Sequence, residues 1–385
     1  MNTTEPHIAL LAGEVSGDRL GAPLLTALKA IYPNARFSGI GGVHMQAAGF
    51  NSLADINILS VMGLAEVLKH LPSIYRLKKF LLSYWQKDKP DIFIGLDAPD
   101  FNLRIATNLK RQGIKTVHYV SPSLWAWKEK RITKIKQAID LMLCLFPFEV
   151  DIYTQHQVKA IFVGHPMRDR LQPISQQVAR KQIGFERQEA QIPLIGLFPG
   201  SRRSEIGRLL PIFLRAMMQM QVRNPDLRAV ISISSEAHRQ QISEIISSTC
   251  PPRQEIILSE KDSAILMSAC DVLLLASGTI TLEAALLERP SLVAYRVNPL
   301  TAKIAKRLLK INQFSLPNLL AGKDIVNEWI QETCTAENLA TDAQDLLQNL
   351  ERRQQQIAAF RQIAASLPNQ VSEKAAQAIA ELMEK

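Results

Sequence analysis

The chain has 385 residues, 47% hydrophobic and 21% charged, with a formal net charge of +9. That composition excludes a disordered or fibrous chain and leaves room for two domains with real cores. No apolar run reaches the length of a membrane-spanning helix, and the start, MNTTEPHIALLAG, lacks a basic signal-peptide n-region, so a soluble or peripheral chain that stays where it is made is expected.

The first apolar run, residues 7–13, reads as a strand, followed by the turn Glu14-Val15-Ser16-Gly17-Asp18 and a helical pattern to residue 31. Residues 35–42 form a second strand ending in glycines. Residues 91–96 form a third, with a helix over 100–111 after it. Strands over 115–120, 141–146 and 161–164 follow. Strands alternating with helices predict a parallel sheet of βαβ units. Residues 166–191 are charged and glutamine-rich and read as a connection. The alternation then restarts, with strands over 194–198, 227–234, 255–258, 271–276 and 291–295, and from about residue 324 the pattern is wholly helical. The expected fold is α/β, with two Rossmann-like domains over 1–168 and 190–345 facing across a cleft. A helical tail over 346–385 would pack back on the first domain or on a partner chain, the latter giving a homodimer.

The four cysteines, Cys144, Cys250, Cys270 and Cys334, are widely spaced and form no C-x-x-C pair, which fits free thiols in a reducing cytosol. The histidines have no zinc spacing, so no metal site is expected. The positive charge fits nucleic acid, an anionic membrane or a phosphorylated substrate, and fits a simply solvated basic face about as well.

Open α/β sheets bind ligands at the carboxyl ends of their strands, so the loops there are where chemistry is expected. In the second half, Pro199-Gly200-Ser201-Arg202 joins a strand to a helix. Glycine lets a ligand approach the backbone, and arginine matches phosphate oxygens. Ser277-Gly278-Thr279 opens another helix, whose free N–H groups and dipole suit a diphosphate. Glu283, one turn on, could accept hydrogen bonds from ribose hydroxyls. Singly these loops also read as a plain turn with a surface arginine and a Ser/Thr cap; together they indicate a nucleotide diphosphate. There is no P-loop, and Gly39-Ile40-Gly41-Gly42 lacks the third glycine of the dinucleotide fingerprint, since that position is His44. In the first half, Asp97 ends a strand and is placed to take a proton from an attacking hydroxyl, with Glu14 and Ser16 on the exit loop of strand one. A lone aspartate there also reads as a cap or a surface charge. Asp100 reads as the cap of the next helix.

AGEVSGDRLGA, GIGGVHMQAAG, GLDAPDFN, YVSPSLWAW, VGHP, FPGSR, SGTITLE and SLPNLLAG occur in that order. Together they resemble the lipid-A-disaccharide synthase family along nearly the whole chain. The resemblance implies a GT-B fold and an inverting, metal-independent hexosyl transfer without cofactor. UDP-2,3-diacylglucosamine and 2,3-diacylglucosamine 1-phosphate would give a β(1→6) disaccharide 1-phosphate and UDP. It implies Asp97 as base, Glu14 and Ser16 on the acceptor side, and Arg202, Ser277, Gly278, Thr279 and Glu283 on the UDP side, with Asn318 near the cleft. Arg203 stands where the family usually has glycine. A UDP-N-acetylglucosamine epimerase or another sugar-nucleotide enzyme of this fold is the alternative, and a non-catalytic lipid- or nucleic-acid-binding protein a second.

Acylated substrates imply a membrane. Val61, Met62, Leu64, Val67, Leu68 and Leu71 recur at helical spacing in a basic stretch and are expected to touch an anionic surface, at the cytoplasmic face of the bacterial inner membrane. Ile74, Leu77, Phe80, Leu81, Tyr84 and Trp85 are expected to face the core instead. Lys303, Lys306, Arg307 and Lys310 form a second basic face. The basic segments accompany apolar stripes rather than interleaved aromatics, which disfavours nucleic acid.

Overall fold

The computed structural model describes residues 5–59, 64–122, 124, 131–186, 189, 191–233, 235–250, 256–298, 302 and 313–384, with the backbone only over 64–70. The chain divides into two compact units: residues 1–166 with 368–385, and residues 167–367.

The first unit holds a six-stranded parallel sheet of β1 (His7–Ala12), β2 (Arg36–Ile40), β3 (Ile92–Leu96), β4 (Lys115–Tyr119), β5 (Leu141–Cys144) and β6 (Ala160–Phe162), in the order β2-β1-β3-β4-β5-β6. β1, β3 and β5 are buried at every position, which is why they read as unbroken apolar runs rather than alternating ones. Between them run α1 (Val15–Ile31), α2 (Val43–Ala47), α3 (Leu64–Lys87), α4 (Pro99–Lys110), α5 (Ile132–Ala138) and α6 (Pro147–Gln155). The strand order turns back between β1 and β3. Their neighbouring helices leave in opposite directions there and open a crevice at the carboxyl ends.

The second unit repeats the plan. β7 (Leu194–Phe198), β8 (Arg228–Ser232), β9 (Ile256–Ser259), β10 (Val272–Ala276), β11 (Ser291–Tyr295) and β12 (Glu328–Ile330) form a parallel sheet in the order β12-β11-β10-β7-β8-β9. Its reversal lies between β7 and β10. Its helices are α7 (Met167–Arg170), α8 (Gln176–Gln182), α9 (Arg203–Gln221), α10 (Glu236–Thr249), α11 (Ser263–Ala269), α12 (Thr279–Leu286), α13 (Leu316–Ala321), α14 (Ala336–Gln348) and α15 (Leu350–Ser366). The stripe Leu209, Leu210, Phe213, Met217 and Met220 of α9 packs into the core of this unit, at the spacing of one helix face.

Three expectations need correcting. Residues 166–191 are not a bare connection: α8 docks on the second sheet through the buried Arg180, which donates to Asp271 Oδ2 at 2.7 Å and to the Ala269 carbonyl at 3.0 Å. Residues after 324 are not wholly helical, because β12 adds an edge strand there. The stretch from 346 does not leave as one piece. α15 stays with the second unit, whereas α16 (Val371–Met383) belongs to the first, burying Val371, Ala375, Ala376 and Ile379 while Lys115 Nζ donates to the Met383 carbonyl at 2.9 Å.

Candidate active site

In the first unit the loops leaving β1 and β3 are built against each other. A Cβ on Gly13 would lie 2.3 Å from the Ala98 Cβ, and one on Gly17 would lie 2.8 Å from the Leu96 carbonyl oxygen. Only hydrogen fits at either place, so the motifs AGEVSGD and GLDA are two sides of one close approach. That approach sets Ser16 Oγ 2.5 Å from Asp97 Oδ2, the serine donating. The buried Asp18, two residues on, accepts from the backbone N–H groups of Gly42 and Met45 on Oδ1 and of His44 on Oδ2, at 2.8 to 2.9 Å. It thereby fixes the start of α1, and with it Ser16, to the β2–α2 turn.

Asp97 and Ala98 both have left-handed backbone, with φ of +55° and +41°. Side-chain-bearing residues adopt it reluctantly, and two in succession mark a turn held by its surroundings. Asp97 Oδ1 accepts from the Ala98 N–H at 2.9 Å, and the Asp97 N–H donates to the Tyr119 carbonyl at 3.1 Å. Asp100 is not the cap: Ala98 holds the N-cap position, Pro99 starts α4, and Asp100 sits in its first turn, paired with Arg131. Glu14 reaches solvent, yet the protein packed around it, and next the charge of Asp97, raise its carboxyl above the ordinary value. His118 lies buried behind the turn, and burial lowers its imidazole to about 4, so it is neutral at physiological pH. Further along the same sheet edge, Glu149 accepts from the N–H groups of Leu145 and Phe146 on one oxygen, both at 3.1 Å. Burial pushes its carboxyl up to about 7 against those bonds.

In the second unit, Phe198 to Arg202 after β7 and Ser277 to Ile280 after β10 line one cavity of about 460 Å³, together with Glu205, Ser232, Ser263 and Glu283. Gly200 has φ +107°, and a Cβ there would meet Glu205 Oε2 at 2.4 Å. Glu205 steadies the loop by accepting from the Arg202 N–H at 3.3 Å and from its guanidinium at 2.9 Å. Arg203 is the exposed first residue of α9. Neither Ser277 nor Thr279 caps α12. Gly278 occupies the N-cap position, and Ser277 Oγ donates instead to the Phe314 carbonyl at 2.8 Å. Glu283 is buried, with Oε1 accepting from Ser263 Oγ at 2.6 Å. Burial raises its carboxyl, opposed by that bond and by the charge of Arg170.

Asn318 is not brought to this cavity. It is buried and fully committed elsewhere: Oδ1 accepts from the N–H groups of Ile325 and Val326, and Nδ2 donates to the Val326 carbonyl and to Glu328 Oε1. It shapes the turn before β12. Among the described residues no group of three or more His, Cys, Asp or Glu side chains could hold a metal ion.

Each unit thus gathers its candidate residues at its own sheet reversal: carboxylates and a serine in the first, glycine loops, an arginine and a buried glutamate in the second. A model of the family described as lipid-A-disaccharide synthetase matches residues 8–382. The chain belongs to the lipid-A-disaccharide synthetase family. It is 45% identical to the lipid-A-disaccharide synthase of Alcanivorax borkumensis over 381 residues, covering 98% of both chains. It is 43% identical to that of Pseudomonas aeruginosa PA14, again with 98% of each covered. Among solved structures, Acinetobacter baumannii MurG superposes with a TM-score of 0.58 at 15% identity, covering 98% of this chain and 99% of that one. The UDP-N-acetylglucosamine 2-epimerase of Neisseria meningitidis superposes with a TM-score of 0.61 at 16% identity, covering 99% and 100%. At such identity these structures share the GT-B fold and nothing finer, so the epimerase alternative is a likeness of fold. The chain is a glycosyltransferase of lipid A biosynthesis.

Family membership gives the leftover motifs their context. Val61 and Met62 lie outside the described residues, as do the side chains of Leu64, Val67 and Leu68, and so do Trp125, Trp127, Lys303, Lys306, Arg307 and Lys310. Leu71 is exposed. Beyond it, Leu77, Leu81 and Trp85 recur every fourth residue and are buried, with Trp85 Nε1 donating to Ser38 Oγ at 2.9 Å. Phe80, expected in that stripe, is exposed, because it lies about 100° around the helix from Leu81. Among the described residues no helix is long and apolar enough to cross a membrane. Sequence reading missed Ser263, Glu205 and His118. Glu205 had a local signal, an acid three residues into a helix start; Ser263 stands twenty residues from Glu283 and had none.

Proposed function

We propose that the chain transfers 2,3-diacylglucosamine from UDP-2,3-diacylglucosamine to the 6-hydroxyl of 2,3-diacylglucosamine 1-phosphate with inversion and without a metal. The observation that carries this reading is the pairing of Ser16 with Asp97 at the reversal of the first sheet. As the acceptor oxygen bonds to C1 of the donor sugar, the bond from C1 to the UDP oxygen breaks. Its electron pair leaves with the diphosphate, and the acceptor proton passes to Asp97. General-base assistance of this kind contributes about 10²–10⁴-fold. Ser16 holds one carboxylate oxygen in place. Glu14, whose carboxyl is raised by burial and then by the charge of Asp97, lies beside that pair on the acceptor side.

On the donor side, Gly200, Ser201 and Arg202 with Ser277, Gly278 and Thr279 suit a diphosphate: an arginine fork and a helix start supply the positive potential that a metal would otherwise provide. Glu283, with one oxygen held by Ser263, keeps its other oxygen for ribose hydroxyls. The acyl chains of both substrates call for a bilayer, and α3, with exposed Leu71 and Tyr75 beside Arg76 and Lys79, supports peripheral binding at the cytoplasmic face. The test is UDP release from the diacylated donor with and without acceptor, in excess chelator. UDP that appears only with both lipids, and undiminished by chelator, is the expected result. Loss of turnover on chelation, restored by added divalent ion, would remove the metal-free reading.

A further inference from the structure

We infer that Asn102 is a positioning residue for the transfer: its amide clips the left-handed Asp97–Ala98 turn and so aims the Asp97 carboxylate. This rests on the reading of Asp97 as base. Asn102 lies in the first turn of α4 and is wholly buried. Its Nδ2 faces three carbonyl oxygens, those of Asp97 at 2.7 Å, Leu11 at 3.2 Å and Leu96 at 3.3 Å. The amide cannot be turned over, since that would set its oxygen against three other oxygens. It therefore ties the end of β1, the end of β3 and the strained turn to one point.

Two independent features say that this is more than packing. Asn102 Oδ1 is buried without a hydrogen-bond partner, a cost that an apolar side chain of similar volume would avoid. And the clipped backbone is the one place among the described residues where two successive side-chain-bearing residues have positive φ. If the turn relaxed toward ordinary extended backbone, the Asp97 Cβ would swing and the carboxylate would leave Ser16. Gly95, whose added Cβ would lie 2.8 Å from the Asn102 Cβ, shows how closely the amide is seated.

The experiment compares Asn102→Ala, the near-isosteric Asn102→Asp, the double variant Ala98→Gly/Asn102→Ala and Asp97→Asn, in the full chain. Hydrogen exchange of the 95–103 segment reads the turn without chemistry, and UDP release gives kcat and KM. In Asn102→Ala we expect faster exchange in that segment and kcat lower by about 100-fold, the scale of a catalytic group misplaced by an ångström. KM should stay within about twofold, since substrate binding is not touched. Asn102→Asp, which swaps the donor for an acceptor, should do the same. Glycine accepts left-handed backbone freely, so Ala98→Gly should return about tenfold of the lost kcat; that recovery would not follow from lost packing. Unchanged exchange in 95–103, or no rescue by glycine, overturns the clip, as does full turnover in Asn102→Ala while Asp97→Asn is dead. Normal turnover in Asp97→Asn would overturn the base reading alone, and exchange with the glycine rescue would still judge the clip. Should Asn102→Ala fail to fold, Asn102→Asp carries the same comparison.

Discussion

Asp97 and Glu14 are neighbouring carboxylates in unequal surroundings. Asp97 accepts from Ser16 Oγ and the Ala98 N–H, while Glu14 has its carboxyl raised by the protein packed about it and by the charge of Asp97. Burial and that charge favour the protonated form of Glu14, while Asp97, held by Ser16, is the base of the proposed transfer. Asp97→Asn should therefore cut kcat by about 10²–10⁴-fold with the fold intact, measured as UDP release alongside the thermal midpoint. In the other unit, Glu283→Gln keeps the shape and the acceptor for Ser263 but weakens what remains for ribose. KM for the donor should rise about tenfold, with kcat changed much less, because a hydrogen bond to a charged group contributes about 1.5–3 kcal/mol. An unchanged donor KM would take Glu283 out of the donor site. These two residues were legible because each stands at a strand exit or one turn into the helix behind it. His118 and Ser263 were not, because what they do depends on which strands lie side by side.

At the scale of elements, the two glycines of the first loop are the contact between β1's exit and β3's exit. Gly13→Ala would press a methyl into the Ala98 Cβ at 2.3 Å, and overpacking of this kind costs about 1–3 kcal/mol. The strain falls on the turn that carries Asp97, so turnover should drop further than stability. Gly13→Ala/Ala98→Gly, which removes the opposing methyl, should recover both, as thermal melts and UDP release on the single and double variants would tell; a double variant as poor as the single would mean the clash lies elsewhere. The apolar strands β1, β3, β7 and β10 could be read directly, since strands buried on both faces are unbroken apolar runs. α8 and β12 could not. The first presents Gln177, Lys181 and Gln182 outward and anchors through the Arg180–Asp271 pair, a contact across 91 residues. The second is a three-residue edge strand too short for any periodicity.

For the whole molecule, the first unit is closed by chain from both ends of the sequence, and its stability carries two buried titrating groups of opposite sense. His118 is lowered by burial from 6.5 to about 4. Between those values the unfolded chain binds the proton and the folded one does not, so stability falls as pH drops from 6.5 toward 4. Glu149 is raised by burial from 4.5 to about 7. Across that window the folded chain keeps the proton that the unfolded one has lost, so stability falls as pH rises from 4.5 to 7. The two slopes oppose each other between 4.5 and 6.5, each on the order of 1–3 kcal/mol over its span, and the wild-type protein should show a shallow profile there. Glu149→Gln keeps an acceptor for the Leu145 and Phe146 N–H groups while removing the titration, and should expose the acid lability of His118 as a steeper loss of midpoint below pH 6.5. His118→Leu should expose the opposite slope, with the midpoint falling from pH 4.5 to 7. Thermal unfolding of the three proteins from pH 4 to 8 decides it. Three parallel curves would mean that neither group titrates as its burial dictates, whereas slopes of opposite sign would show that the edge of the sheet bearing Asp97 holds a neutral imidazole on one side and a carboxyl near its titration point on the other.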